Sequence, residues 1–363
     1  MRSDLCERRL RRYASRFQSR VVARARSHPH LADLALSFPA LLFALAVPRD
    51  RFDPEPAIAR VIAGRSLTEA AAAAGLPMWL RKLPPEACVR PIPRLPDGEL
   101  FRRQIGNHLP RSPKLVPIWL ALVAEMAALA HDAAAVWIAR EFVRAPKGVN
   151  RDRVHLLALW IWFSGQPGRL AHDLVERPWT PGMRLDAAMT AAVNWRGRVS
   201  LHLNLGQLPI SDMWLDPGRI GDYEFRPLDN IPDLVDEAAA MRNCVRTYGA
   251  DIVHNRSRLW SVRLRGERIA TLEVGRHWRD PLLNIVQLKA AGNAAVSHEL
   301  WWIARRWLHL HDLAQIEPAK MKWGQAPLDL VTWRALWRPY WLAKRRIPDW
   351  LPLAPSRAAF GAL

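Results

Sequence analysis

The spacing of apolar residues changes along the chain, from helical steps in the first half to alternation further on. At 118–144 and 151–164, large apolar side chains recur every three or four residues, as on one face of a helix. Between 260 and 288 apolar and polar residues alternate, which is typical of strands with one buried face. The pattern predicts an α+β fold with a mainly helical N-terminal half, a small antiparallel sheet flanked by helices, and a helical C-terminal tail.

Composition divides the chain further into five segments. Residues 1–83 are expected to form short, basic helices. Residues 84–117 contain eight prolines, which favour an irregular connection because proline fixes φ and lacks an N–H donor. Residues 118–221 are expected to be helical, except for a strand at 199–205 predicted from alternating Val and Leu. Residues 222–312 should hold the sheet, and residues 313–363 a basic, aromatic tail.

The first hairpin of the sheet can be built in two registers. Its strands, 260–265 and 269–274, could be joined by a two-residue turn or by a three-residue loop at 266–268. Of these, the loop puts the large apolar side chains on one face, whereas the turn mixes them with polar ones. We therefore predict the loop, which places Arg263 diagonal to Glu273 on the opposite, polar face.

That polar face is the candidate site. Arg263, Thr271 and Glu273 would lie beside Gln287 of a third strand and Asn293 of the turn that follows it. A carboxylate, a guanidinium and two amides on adjacent strands could hold a ligand or polarise a bond. The simpler alternative is a structural network, in which an ion pair and amide hydrogen bonds satisfy one another.

An ordered set of motifs runs through the same region. Residues 241–248 read Met-Arg-Asn-Cys-Val-Arg-Thr-Tyr, followed by Thr-Leu-Glu-Val at 271–274, then Gln287 and Gly292-Asn293. The set resembles the PcfJ-like family over about residues 222–312. Members of that family show a helix reading roughly M-R-H-C-V-x-x-Y, two strands ending in T-L-E-V, a strand with Gln, a Gly-x-Asn turn and a Trp-bearing helix.

The resemblance indicates which proteins the chain is related to, but it does not indicate a reaction. The family is named after a protein of bacterial conjugative plasmids, and its biochemical activity is unsettled. Cys244, Tyr248 and Gly292 are the further motif positions in this chain. The resemblance therefore implies an accessory protein of a bacterial mobile element, and it transfers no catalytic role to a residue.

Cys244 is the obvious candidate nucleophile within the motif. The preceding position, commonly His in the family, is Asn243 here, which cannot act as a base. A cysteine within a helix, next to an apolar stripe, is typically a small core residue. We therefore expect Cys244 to be buried and structural.

The chain is strongly basic, with 53 Lys and Arg against 34 Asp and Glu and a net charge of +19. Such an excess attracts polyanions by counterion release, which makes nucleic acid the leading candidate partner. In the tail, cations alternate with aromatic rings on which bases could stack. The alternatives are a genome that overuses arginine codons, and tail tryptophans that belong to a core. The candidate nucleic-acid-binding residues are Arg8, Arg9, Arg11, Arg12, Trp337, Arg338, Trp341, Lys344, Arg345 and Arg346.

Other classes of site have little support in the sequence. Cys6, Cys88 and Cys244 are far apart, and His309 and His311 fall on different helix faces, so no metal site is expected. Neither a phosphate-binding P-loop nor a dinucleotide-binding glycine turn occurs, so no cofactor is expected. No apolar run approaches the roughly 20 residues of a membrane span. The cysteines suit a reducing compartment, and we expect a cytoplasmic protein.

Three functions remain open at this point. The first is nucleic-acid binding through charge, without chemistry. The second is an enzyme of unknown reaction centred on the polar face of the sheet. The third is a protein-interaction module whose basic surface is incidental.

Overall fold

The computed structural model describes residues 2–206, 209–277, 280–318, 320 and 330–346. The chain forms two compact units. The first comprises Met1–Gln166 and Arg177–Thr190, and the second comprises Pro167–Glu176 and Ala191–Leu363. None of the helices in the described part of the chain is long and apolar enough to cross a membrane.

The first unit is made of helices, which are α1 (Arg2–Leu10), α2 (Ser15–Arg26), α3 (Pro29–Ser37), α4 (Pro39–Ala46), α5 (Glu55–Ile62), α6 (Leu67–Ala73), α7 (Glu99–Ile105), α8 (Val116–Leu129), α9 (Asp132–Arg144) and α10 (Arg151–Ser164). Prolines 39 and 117 lie in the first turns of α4 and α8, where a missing N–H costs nothing. Trp119, Trp137 and Trp160 are fully buried and give the unit its core. Apart from α7 and two 3-10 turns, the proline-rich stretch 84–117 is mostly irregular.

The strand predicted at 199–205 is wrong, because these residues complete the helix α12 (Leu185–Leu205), which follows the single turn α11 (Leu170–Asp173). A buried stripe runs through α12 in three- and four-residue steps, at Ala188, Ala192, Trp195 and Val199. Leu201 and Leu203 are buried as well, so the end of α12 is covered on more than one face. Burial on several faces produced the alternating pattern without a strand.

The second unit contains an antiparallel sheet of five described strands, in the order β1-β2-β3-β4-β5. The strands are β1 (Gly218–Ile220), β2 (Tyr223–Pro227), β3 (Ser257–Leu264), β4 (Glu267–His277) and β5 (Asp280–Lys289). The helices around it are α13 (Ile231–Ala240), α14 (Gly249–Val253), α15 (His298–Leu308) and α16 (Leu330–Lys344). The α+β prediction is confirmed, although β1 and β2 were not foreseen.

The β3–β4 hairpin closes through a two-residue turn at Arg265 and Gly266, so the predicted three-residue loop is wrong. Both turn residues have positive φ, 51° and 91°, as a type I′ turn requires. The true register differs from the predicted one by two residues, which preserves the side-chain alternation. The predicted apolar face is therefore present, and it consists of the fully buried Trp260, Val262, Ala270, Leu272 and Val274.

α15 packs on that apolar face through an aromatic cluster. Trp307 stacks on Phe225 with ring centroids 4.5 Å apart, and Trp260 meets it edge-on at 4.9 Å. Ser297 caps the helix by accepting the Leu300 N–H at 3.2 Å. The core stripe of α15 consists of Leu300, Ile303, Ala304 and Trp307, which follow one another at helical spacing and are buried.

Gly275 lies in β4 between two register shifts of the β4–β5 pair, and a side chain there has no room. A methyl group at this position would come within 2.8 Å of both the Arg256 carbonyl oxygen and Val286 Cγ2. We expect Gly275→Ala to lower the free energy of unfolding by about 2 kcal/mol, since overpacking forces the backbone to move. Urea denaturation tests this, with Gly182→Ala as the control, because a methyl group at Gly182 would meet no neighbour within 4 Å. An unchanged midpoint for Gly275→Ala would contradict the packing described here.

Candidate functional site

The motif at 241–248 lies in the segment that leaves α13. Asn230 caps this helix by accepting the Asp233 N–H at 2.9 Å. The helix ends at Ala240, and Arg242 adopts a left-handed conformation with φ 48° that turns the chain. The Met241 carbonyl oxygen then accepts the N–H of Gly292 at 2.7 Å. This bond joins the motif segment to the turn after β5.

Glu273 is the centre of a hydrogen-bonded cluster on the polar side of the sheet. Its side chain is 7% exposed. Ser257 Oγ donates to Oε1 at 2.6 Å, while Tyr248 OH and Gln287 Nε2 donate to Oε2 at 3.0 and 2.6 Å. Gln287 stands directly opposite Glu273 in the β4–β5 pair. Burial and the Glu273 carboxylate raise the pKa of Tyr248, so the phenol stays a donor at neutral pH.

A second cluster lies two residues earlier along β4, at Thr271, and joins α13 to the sheet. Glu237 is fully buried, and its Oε1 accepts the Thr271 hydroxyl at 2.8 Å, while its Oε2 lies 3.1 Å from Arg268 Nε. Burial raises the pKa of Glu237. Asn243 donates to Thr271 Oγ1 at 2.9 Å. Asn243, the residue before Cys244, is therefore part of a structural link between the motif segment and the sheet.

The predicted pairing of Arg263 with Glu273 is wrong. A bulge between Val262 and Arg263 shifts the register, so Arg263 stands opposite Arg268 near the hairpin end. There its positive charge, like that of Arg268, favours the ionised form of Glu237. Arg263 is thus separated from the Glu273 cluster.

The two clusters line a small cleft of about 20 Å³, enough for one water molecule. It brings together four of the five predicted polar site residues, at 271–293, and two motif residues, Cys244 and Tyr248. The lining is Asn243, Cys244, Val245, Tyr248, Leu259, Thr271, Glu273, Gln287, Lys289 and Asn293. The sequence reading missed Lys289, which the strand alternation could have found two residues after Gln287. Within the described residues, no group of three or more His, Cys, Asp or Glu side chains could hold a metal ion.

The expectation that Cys244 is buried is wrong, because its side chain is exposed. The helix that would have covered it ends four residues earlier. Cys244 instead opens the short 3-10 turn Val245–Thr247 at the mouth of the cleft.

We expect Cys244 to react with iodoacetamide in the native protein much faster than the other two thiols. Burial raises the pKa of Cys88 to about 12, and it also raises the pKa of the half-buried Cys6. Mass spectrometry of partially labelled protein would locate the adduct, with Cys244→Ser as the control that loses the fast phase. Labelling that begins only on unfolding would contradict the exposed position.

The N-terminal arginines lie on α1, α2 and the turn between them. Arg8 and Arg11 are exposed and Arg9 is half-buried. Arg12 forms an ion pair with Glu86, and Arg26 forms one with Glu7 at 3.1 Å. Part of this basic segment is therefore bound to carboxylates of its own unit, and part faces solvent.

The predicted stacking role of Trp337 is wrong, because its ring is 1% exposed. Trp333, Trp337 and Tyr340 follow one another at helical spacing and form the buried side of α16. Among the other tail candidates, Arg338, Arg345 and Arg346 are exposed, while Trp341 and Lys344 are half-buried. The remainder of the predicted tail, at 319, 321–329 and 347–363, lies outside the described residues.

An exposed aromatic ring does occur on α15. Trp302 is 58% exposed, and the Arg306 guanidinium lies 5.5 Å from its ring centroid. The preceding residues form a similar pair, in which the Arg305 guanidinium lies 5.7 Å from the ring centroid of Trp301. The signal was present in the sequence, because Trp302 falls off the buried stripe of this helix.

No protein-family model, curated protein or solved structure matches this chain.

Proposed function

We propose that this chain is a non-enzymatic, nucleic-acid-binding protein of the PcfJ-like kind, an accessory of a bacterial mobile element that acts in the cytoplasm. The observation that carries the proposal is the charge of its first two helices. Residues 2–26 contain nine arginines and two carboxylates, Asp4 and Glu7, in a chain of net charge +19. Guanidinium groups suit phosphate because they offer several donors in a fixed plane.

The geometry of α2 supports this assignment. Val21 and Ala25 are buried, so the helix rests on one face. Arg16 and Arg20 are one turn apart on the exposed side, although Arg16 also donates to the Val89 carbonyl oxygen, and side chains at this spacing are neighbours. Successive arginines can therefore meet successive phosphates of one strand without sequence preference.

The direct test is an anisotropy titration of fluorescein-labelled 30-nucleotide DNA, single-stranded and duplex, at about 50 mM salt. The proposal predicts saturable binding of both forms at micromolar protein. If neither form binds, the charge is a compositional by-product and the protein-interaction function takes its place. Binding by one scrambled sequence only would contradict charge-driven recognition.

Trp302 supports a preference for single strands. Base stacking on an exposed ring is worth about 1–3 kcal/mol, so Trp302→Ala should weaken single-stranded binding about tenfold and leave duplex binding nearly unchanged. Trp302→Phe keeps a ring and is the matched control. Equal losses for both DNA forms would assign Trp302 to another role.

A second candidate function is thiol chemistry at the cleft, favoured by the exposed Cys244 beside the oriented Glu273 carboxylate. A substrate would sit at the cleft mouth, since the interior holds about one water. Alkylating Cys244 separates the two functions. The accessory function predicts unchanged DNA affinity, whereas a loss of DNA binding would favour the cleft as the working site.

A further inference from the structure

A large cavity lined by described residues lies in the second unit and is separate from both sites above. Its volume is about 530 Å³, within the range of about 300–1,000 Å³ typical of small-molecule sites. α11, the second half of α12 and the start of α13 enclose it. The residues that matter for its chemistry are Leu174, Arg198, His202, Ile231, Val235 and Asp236.

The cavity wall contains one guanidinium group, that of Arg198, whose hydrogen-bonding capacity is only partly used. Arg198 forms an ion pair with the exposed Glu176 through Nη2, while its buried Nε has no hydrogen-bond partner among the described atoms. Behind it lies Arg246, which is 8% exposed. Arg246 donates to two neutral oxygens, Asn194 Oδ1 at 3.1 Å and the Val235 carbonyl at 3.4 Å. The exposed carboxylate of Glu176 therefore pairs with Arg198, and its charge also acts on Arg246.

The cavity's other polar groups fit the same ligand chemistry. His202 follows Arg198 by one helical turn, and burial lowers its pKa, so its neutral ring can donate or accept a hydrogen bond. The first turn of α13 also borders the cavity, and its dipole adds positive potential. Asp173 and Asp236 line the cavity as well. Both are exposed, where water and salt screen their charge.

The remaining wall is apolar, formed by Leu174, Ile231, Pro232 and Val235. We propose that this cavity binds a small organic anion, with its carboxylate, phosphate or sulfonate group on Arg198 and its apolar body against Ile231 and Val235. The proposal is independent of nucleic-acid binding, because the N-terminal arginines and Trp302 do not line this cavity.

The test uses 8-anilinonaphthalene-1-sulfonate, a fluorescent aromatic anion of suitable size, in a titration at about 150 mM salt. We expect one saturable site in the wild-type protein. Arg198→Gln should weaken binding at least tenfold, and Arg198→Lys should restore part of the loss. His202→Trp should fill the cavity and abolish binding. Arg196→Gln, an exposed arginine of the same helix, removes the same charge and should change nothing.

A neutral analogue tests the requirement for an anion. N-phenyl-1-naphthylamine has the same apolar body without the sulfonate, and it should bind at least tenfold more weakly. Equal binding of the two dyes would overturn the proposal, as would equal losses in Arg196→Gln and Arg198→Gln. Unchanged binding by a folded His202→Trp variant, checked by its thermal unfolding, would place the dye elsewhere and overturn it too.

Discussion

Replacing Arg8, Arg11 and Arg20 together with glutamine is expected to weaken nucleic-acid binding on the order of 10²-fold at about 0.1 M salt, because each phosphate contact contributes roughly a factor of five through counterion release. All three side chains are exposed on α1, on α2 or in the turn between them. Glutamine keeps the length and the helix propensity, so the change isolates charge. Anisotropy titration with single-stranded and duplex DNA measures the loss.

The matched control removes three exposed arginines outside these helices, Arg65, Arg111 and Arg196. Both triple variants have the same net charge. If binding depends on the basic segment, the control loses little affinity. Equal losses in the two variants would mean that affinity follows overall charge and that α1 and α2 have no special role.

Glu237→Ala is expected to lower the free energy of unfolding by about 3 kcal/mol, since it removes the acceptor for one buried group and the counter-charge for two arginines. Thr271 would lose the carboxylate that accepts its hydroxyl at 2.8 Å. Arg268 and Arg263 would lose the negative charge they face. Urea denaturation followed by circular dichroism measures the change.

Two neighbouring variants sharpen this test. Burial raises the pKa of Glu237, so ionisation of this side chain is itself unfavourable in the folded state. Glu237→Gln keeps the shape and the bond to Thr271, and it should therefore cost much less than Glu237→Ala. Asp236→Ala, at the exposed adjacent position, should change stability by less than about 0.5 kcal/mol. Equal effects of the alanine and glutamine variants would contradict the hydrogen-bonded role of Glu237.

The sequence correctly predicted the elements that bury only one face, because their apolar residues recur at one regular spacing. The β3–β4 hairpin buries one face only, so spacing alone identified its apolar side. The end of α12 could not be predicted in this way, because Val199, Leu201 and Leu203 are buried together. The alternation of apolar residues there arises because the helix is buried on several sides.

The candidate site was predictable in composition more than in geometry. Strand alternation placed Thr271, Glu273 and Gln287 on one face, and the structure brings them together. The alternation did not indicate the bulge that separates Arg263 from the Glu273 cluster. Nor did it indicate the left-handed conformation of Arg242, after which Cys244 is exposed. Both depend on single backbone positions, which side-chain periodicity does not report. Trp337 was ambiguous because core and stacking rings have the same helical spacing.

The measurement that bears most directly on the proposed function is the salt dependence of DNA binding. The logarithm of the association constant should fall linearly with the logarithm of salt concentration, with a slope of about −3 or steeper for single-stranded DNA, since each contacted phosphate contributes about −0.7. The Arg8, Arg11 and Arg20 triple variant should show a slope shallower by about 2. A slope near zero in the wild-type protein, or the same slope in both proteins, would contradict phosphate binding by the N-terminal arginines.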